Sequence, residues 1–273
     1  MRAATTNIIN ASDWKYRIYY VTGGTANLHS STKTSYFEDK AITTQTNYFY
    51  DYPNHYQLKR TEFTDSKGDV YKTIHDFDTG LINANRMMPV TTTSYKNNTQ
   101  LSKQHTVYGT DTSSSLYVPK RIQTAKGSQV LEDRAVFHKY DTKGNPVEVS
   151  KQDGTKIYYV WGYEKSQPIA KIEGYNSISS SQEIAINNAI SVSNSDINTT
   201  TESTLRDRLT IVRAAFPEAQ VTSFTYDPLV GVTSITDPRG ETIYYSYDLL
   251  NRLILVKNSA GEILKEHQYN YKN

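Results

Sequence analysis

The chain has 273 residues, 37% of them hydrophobic, with 23 tyrosines and a formal charge of +2. Lys and Arg are scattered among Asp and Glu, so charge gives no reason to propose a nucleic acid or an acidic membrane as partner. The absence of cysteine excludes disulfides, thiolate catalysis and cysteine zinc sites, and no apolar run approaches the roughly 20 residues of a membrane span.

Tyr and Thr suit half-buried pleated surfaces, so the composition points to β structure. Met1 to Asn10 lack the basic start and apolar stretch of a signal peptide. If the parent protein is exported, this chain is expected to be a downstream piece of it. Gly23-Gly24 predicts a turn. A first Tyr-Asp pair, Tyr50-Asp51, continues as Tyr52-Pro53-Asn54, and a polar turn closed by glycine follows at Thr64-Asp65-Ser66-Lys67-Gly68. His75-Asp76-Phe77-Asp78 is the densest group of possible metal ligands, but it reads as the polar edge of a strand or loop, and no metal is expected. Leu81 to Met88, before Pro89, allows one short helix. The turn signature returns at Thr124-Ala125-Lys126-Gly127, Tyr140-Asp141-Thr142-Lys143-Gly144 and Gln152-Asp153-Gly154.

The chemistry of these turns is direct. Asp or Asn at the first position accepts backbone N–H bonds. Gly closes the turn where φ must be positive. The pattern predicts a type I turn with a G1 bulge, a common hairpin connection.

Residues 176–218 interrupt the strand pattern. Ser180-Ser181-Gln182-Glu183 fits a capping box, with Ile184, Ala185, Ala189 and Ile190 on one helix face. Ser191 to Thr201 reads as a loop. Leu205, Leu209, Val212 and Phe216 recur at helical spacing, so a second helix is expected over about 203–216, stopped by Pro217. Arg206, Asp207, Arg208 and Arg213 would form its wet side.

The repeat is clearest after the insertion. Tyr247-Asp248 follows Tyr226-Asp227 at the interval that separates Gly261 from Gly240, and each pair marks the hairpin end opposite a glycine turn. Those turns read Thr236-Asp237-Pro238-Arg239-Gly240 and Lys257-Asn258-Ser259-Ala260-Gly261. Asn251 stands where Gly closes other copies; Asn is the next most tolerant residue for a left-handed conformation. Asp227 reaches Gly231 one residue late, which predicts an irregular turn. The expected fold is mainly β: an antiparallel hairpin ribbon or partial β-shell, with repeats over 1–175, a two-helix insertion over 176–218 and regular repeats of the same sheet over 219–273.

Tyr247-Asp248-Leu249-Leu250-Asn251-Arg252-Leu253 and Thr236-Asp237-Pro238-Arg239-Gly240 resemble the YD, or RHS, repeat family nearly position for position. The resemblance covers 219–273 best and 135–163 well, and fades before residue 75. It implies a ribbon of strands that coils into a hollow shell, which in toxins encloses an effector. At this length a closed shell is not expected, nor is an appended toxin domain after Tyr269-Asn270-Tyr271-Lys272-Asn273. The helical insertion and the run from Tyr226 to Pro238 resemble the C-terminal part of large surface-associated YD-repeat proteins of Bacteroidetes-type bacteria. The resemblance thus implies a secreted or cell-surface location and, as partner, the rest of a larger chain or another protein.

No nucleophile, base and orienting group stand at recognisable spacing, so no enzyme activity and no cofactor are expected. The Asp237-Pro238 motif resembles the self-cleaving site of some RHS proteins but sits inside an ordinary repeat, so it reads as a turn. Tyr159, Trp161 and Tyr163 have two readings: a surface that stacks on sugars, or the inner lining of the sheet. Three functions follow: a non-catalytic interaction scaffold, a wall of a toxin-delivering shell, or a carbohydrate-binding module. The residues expected to build the turns are Asp65, Gly68, Gly127, Asp141, Gly144, Gly154, Asp227, Asp237, Gly240, Asp248, Asn251 and Gly261.

Overall fold

The computed structural model describes residues 26–37, 40–52, 55–112 and 114–270. The expected Gly23-Gly24 turn, the N-terminal ten residues, Pro53-Asn54 and the last three residues lie outside them. Among the described residues sixteen strands follow one another: β1 (Ser30–Phe37), β2 (Lys40–Phe49), β3 (Arg60–Thr64), β4 (Val70–Phe77), β5 (Pro89–Lys96), β6 (Thr99–Thr110), β7 (Tyr117–Lys126) and β8 (Glu132–Tyr140). Then come β9 (Pro146–Lys151), β10 (Lys156–Gly162), β11 (Gln167–Glu173), β12 (Gln220–Asp227), β13 (Gly231–Thr236), β14 (Thr242–Tyr247), β15 (Leu253–Asn258) and β16 (Ile263–Glu266). Their order in the sheet is their order in the chain, every neighbour is antiparallel, and the sheet is open.

The hairpin turns explain this regularity. In the loops at Asp65, Asp141, Asp237 and Asp248, the carboxylate accepts two backbone N–H groups and the fourth residue donates back to the first carbonyl. That fourth residue is left-handed: φ is 83° at Gly68, 85° at Gly144, 92° at Gly240 and 59° at Asn251. Gly261 and Gly154 close turns that start at Asn258 and Lys151. Gly127 differs from the expectation: it opens its turn rather than closing it, since Gln129 N–H bonds the Lys126 carbonyl. After Asp227, Leu229 takes φ 71° and Val230 N–H bonds the Asp227 carbonyl, which is the irregular turn that the late glycine predicts.

A second repeated feature crosses the strands. The aromatic residue at the end of a strand faces, in register, the residue before a one-residue bulge in the next strand. Tyr108 faces Pro119, Tyr140 faces Pro146, Trp161 faces Pro168, Tyr226 faces Val232 and Tyr247 faces Leu253. A bulge takes its neighbours out of the regular ladder and leaves a carbonyl without a strand partner. The next aromatic supplies that partner. Tyr140 donates to the Pro119 carbonyl, Trp161 Nε1 to Pro146 at 2.8 Å and Tyr226 to Pro168 at 3.0 Å. Tyr247 donates to Val232 and Tyr269 to Leu253, both at 2.9 Å. Proline suits this place because it has no N–H to leave unpaired. Tyr108 breaks the series by donating to Met88 Sδ.

The row passes through the insertion without a gap: Tyr226 bonds Pro168, and β12 pairs directly with β11. The insertion is therefore looped out of a continuous sheet. It forms two helices, preceded in the chain by α1 (Thr79–Asn83): α2 (Ser180–Ser193) and α3 (Thr199–Ala215). Leu205, Leu209, Val212 and Phe216 are buried against Ile186, Ala189, Val160, Ile172 and Val221, and this is the main hydrophobic core.

Five details of the helices depart from expectation. The cap of α2 is Ser179 with Gln182, one residue earlier than the expected box. Ile186 is buried, whereas Ile184 is 61% exposed. The polar connection shrinks to 194–198, because Asn198 and Thr201 form a capping box that starts α3 at Thr199. Arg213 is half-buried and donates to the Val221 and Thr236 carbonyls at 2.5 and 3.3 Å. The short helix before Pro89, α1, starts earlier than expected because Asp78 caps it, and it ends before Asn85 at φ 57°.

Candidate functional site

Of the residues singled out as a possible sugar surface, Trp161 and Tyr163 are engaged by contacts within the fold. Trp161 uses its indole N–H in the row of locked aromatics. Tyr163 is 7% exposed, and its hydroxyl donates to Asp196 Oδ2 at 2.8 Å while accepting Tyr226 N–H at 2.9 Å. Tyr159 alternates with Tyr158 and Val160 along β10, on the strand face turned away from α2. Tyr163 instead fastens the insertion to the sheet. Its own N–H bonds Ser193 Oγ, and Glu164 N–H bonds Asn194 Oδ1. Tyr163, Glu164 and Lys165 all have positive φ, a strained run that these contacts hold in place. Gly162 is required there, because a Cβ would stand 2.2 Å from Ser193 Oγ and 2.7 Å from Ile169 Cγ2.

The fastening is a polar network. Asp196 Oδ1 accepts the Thr201 hydroxyl at 3.0 Å. Glu202 accepts Thr225 at 3.0 Å and pairs with Arg206 one turn along α3. Burial raises the Asp196 carboxyl above its ordinary value of 3.8, and burial raises the Tyr163 phenol as well. A separate buried carboxylate, Asp111, pairs with Lys120 at 2.7 Å and accepts the Ser114 N–H. The Lys120 bond brings it down to about 2.

The other titratable residues named from sequence have fold partners. His75 bonds Thr92, Asp76 pairs with Lys59 at 2.7 Å, and Asp78 caps α1. Among the described residues, no three His, Cys, Asp or Glu side chains gather as a metal site, and no helix is long and apolar enough to cross a membrane. Asp237 Oδ1 is held by the N–H groups of Arg239 and Glu241, each at 2.9 Å.

Two grooves flank the insertion. One, of about 300 Å³, lies between α3 and β12–β14, lined by Arg206, Arg213, Thr225, Ser234 and Tyr244. The other, of about 390 Å³, lies between α2 and β8–β10. Its floor is a cross-strand row in register, Lys139–Glu148–Tyr158, with Lys156 and Tyr175 beside it. Glu183 and Asn187 of α2 form the opposite wall with Ile186 and Ile190. Lys156 and Glu148 face each other at 3.9 Å, and the rings of Tyr158 and Tyr175 meet edge to face at 6.1 Å. The Tyr175 hydroxyl is buried beside the Glu148 carboxylate. Burial, and after it the nearby Glu148 carboxylate, raises its phenol. No local sequence pattern marks this groove, because its walls come together only when the insertion folds back over the sheet.

No family model matches the chain, and no curated protein matches it in sequence. Among solved structures it is similar to the toxin complex TcdB2-TccC3, with 12% identity over 84% of this chain and a TM-score of 0.36. The Photorhabdus luminescens Tc holotoxin pore gives 11% identity over 85% and a TM-score of 0.30. A porin-like protein from Bacteroides uniformis gives 11% identity, a TM-score of 0.22 and coverage of 84% of this chain and 81% of that one. The chain spans 11% of the matched TcdB2-TccC3 chain and 13% of the matched holotoxin chain.

Proposed function

We propose that the chain is a section of a non-catalytic YD-repeat scaffold, carried by a larger secreted or cell-surface protein, whose task is to hold interaction surfaces. The observation that carries this reading is the row of aromatic locks from Tyr140 to Tyr269. Each repeat secures only its neighbour, which is the logic of a linear repeat protein. Asp111, Asp196 and Glu202, the carboxylates drawn furthest into the fold, each hold fold contacts. Asp237 is held by its own turn rather than poised as a nucleophile.

The test is to remove one repeat in register. Deleting residues 232–252 joins Gly231 to Leu253, the start of β15, and returns each strand to an equivalent neighbour. A scaffold of this kind yields a shorter ribbon that still unfolds cooperatively and without aggregation. Failure of the deletion to fold, or specific cleavage of the intact chain at Asp237-Pro238 that Asp237→Asn abolishes, overturns the reading.

A further inference from the structure

We propose that one edge of the sheet rests on a zwitterionic lipid surface, with Leu229, Leu249 and Leu250 entering it. The edge carries the turns that join β8 to β9, β10 to β11, β12 to β13 and β14 to β15. Antiparallel order places these four turns at the same end of the strands, each about 10 Å from the next, which is two strand spacings. Leu229 and Leu249 are fully exposed, and Leu250 is 67% exposed. Ile197, 85% exposed, joins them, because Glu164 N–H bonds Asn194 Oδ1 and holds the connection between α2 and α3 to the turn after β10.

The fold does not ask for these side chains. The turn at Asp248 has the same hydrogen bonds as those at Asp65 and Asp141, which carry Ser66-Lys67 and Thr142-Lys143 where it carries Leu249-Leu250. The turns at the opposite end of β9 to β16 carry Gln152-Asp153, Pro238-Arg239 and Ser259-Ala260. Leu229 holds φ 71°, a conformation that costs leucine more than it would Gly or Asn. Exposed apolar residues scattered singly need no explanation. Aliphatic tips gathered on one edge, with polar residues at equivalent places elsewhere, do.

Geometry and charge select the occupant. Polar turn backbone separates the tips, so they form no continuous patch of the kind a protein interface packs against. A fluid lipid interface closes around each tip separately and takes apolar side chains to a depth of about 5–10 Å. The charged residues of the four turns nearly cancel: Lys143, Lys165 and Arg252 stand against Asp141, Glu164, Asp227 and Asp248. Such an edge suits headgroups that carry both signs and gains nothing from an anionic surface. The proposal concerns one edge and does not rest on the scaffold reading.

The chain lacks cysteine, so a single label can report on each end. Leu249→Cys and, at the opposite end, Ser259→Cys are each labelled with a polarity-sensitive fluorophore on the full chain, and phosphatidylcholine vesicles are added. The expected result is a blue shift for the label at position 249 and none at 259, retained at about 0.5 M salt, where surface charges are screened. In vesicle flotation, the chain with both Leu249→Ser and Leu250→Ser should bind at least about tenfold more weakly, through the loss of two inserted side chains. Thermal melts report that the variants fold. No shift at 249, an equal shift at 259, or loss of the shift in salt overturns the proposal. So does a shift that appears without vesicles as protein concentration rises, which marks a second copy as the occupant, or unchanged flotation of the folded double variant.

Discussion

Tyr247 donates its hydroxyl to the Val232 carbonyl across 2.9 Å, and its ring occupies the space beside Gly231 where a side chain would begin. A Cβ on Gly231 would stand 2.5 Å from Tyr247 Oη and 2.8 Å from Cζ. The tyrosine of one repeat thus fixes the bulge of the repeat before it, and the glycine makes room for the ring.

This pair gives the first expected outcome. Tyr247→Phe removes the hydroxyl and leaves the carbonyl unsatisfied, at a cost of about 1 kcal/mol. Gly231→Ala forces the ring aside and costs about 1–3 kcal/mol. The double variant should cost less than the sum, because Phe lacks the atom nearest the new methyl. Urea unfolding of the four proteins checks this; strict additivity would separate glycine from lock.

The insertion should respond according to burial. Phe216 is 4% exposed in the core, so Phe216→Ala is expected to cost roughly 3 kcal/mol. Ile184→Ala, on the exposed side of α2, should stay within about 0.5 kcal/mol. Equal losses at the two positions would contradict the observed rotation of α2.

Much of this fold is legible in the sequence, for reasons specific to each element. Asp237 and Gly240 declare their turn because an acceptor and a left-handed residue must stand at fixed positions. Leu205, Leu209, Val212 and Phe216 declare α3 because one buried stripe repeats at helical spacing. The start of α2 is ambiguous because Ser179, Ser180 and Ser181 all make acceptable caps. The reach of Gln182 to the Ser179 N–H decides among them. The burial of Tyr163 depends on Asp196, across the insertion, which no local pattern reports. The aromatic row did leave a trace: Pro119, Pro146 and Pro168 each stand near the start of a strand, shortly after an aromatic-ended one. Its meaning requires knowing where the bulges fall.

Turn substitutions separate side-chain space from backbone conformation. At Gly240 φ is 92°, and no atom lies within 4 Å of the point where a Cβ would stand, so space is not the constraint. Gly240→Val should nevertheless lose at least about 1 kcal/mol through the backbone conformation alone. Asn251→Gly keeps the left-handed residue and should change stability by no more than about 0.5 kcal/mol. Chemical unfolding of both variants checks the contrast, and a neutral Gly240→Val would refute the conformational argument.

The last expectation concerns pH, where two buried carboxylates act in opposite directions. Asp111 is lowered from 3.8 to about 2, chiefly by Lys120, so it favours the fold in its charged form. Its stabilisation is present above about pH 4 and is lost as pH falls towards 2. Asp196 is raised from 3.8, chiefly by burial. Its contribution is fully present below 3.8 and is lost as pH rises through the raised value, so at neutral pH the ionised group opposes folding. Asp196→Asn keeps an acceptor for the Tyr163 hydroxyl, which must donate this way because it already accepts Tyr226 N–H. The Thr201 hydroxyl, which already accepts the Ile197 and Asn198 N–H groups, keeps the Asn198 carbonyl as its acceptor. The variant should therefore gain stability relative to the parent chain as pH rises from about 4 to 7. Asp111→Asn should fall behind the parent as pH rises from about 2 to 5, where the parent regains its charged pair. Urea midpoints taken in steps across both intervals distinguish the two slopes. If the Asp196→Asn profile runs parallel to that of the parent chain, the carboxylate titrates normally in the fold and the clasp between Tyr163 and the insertion carries no charge penalty.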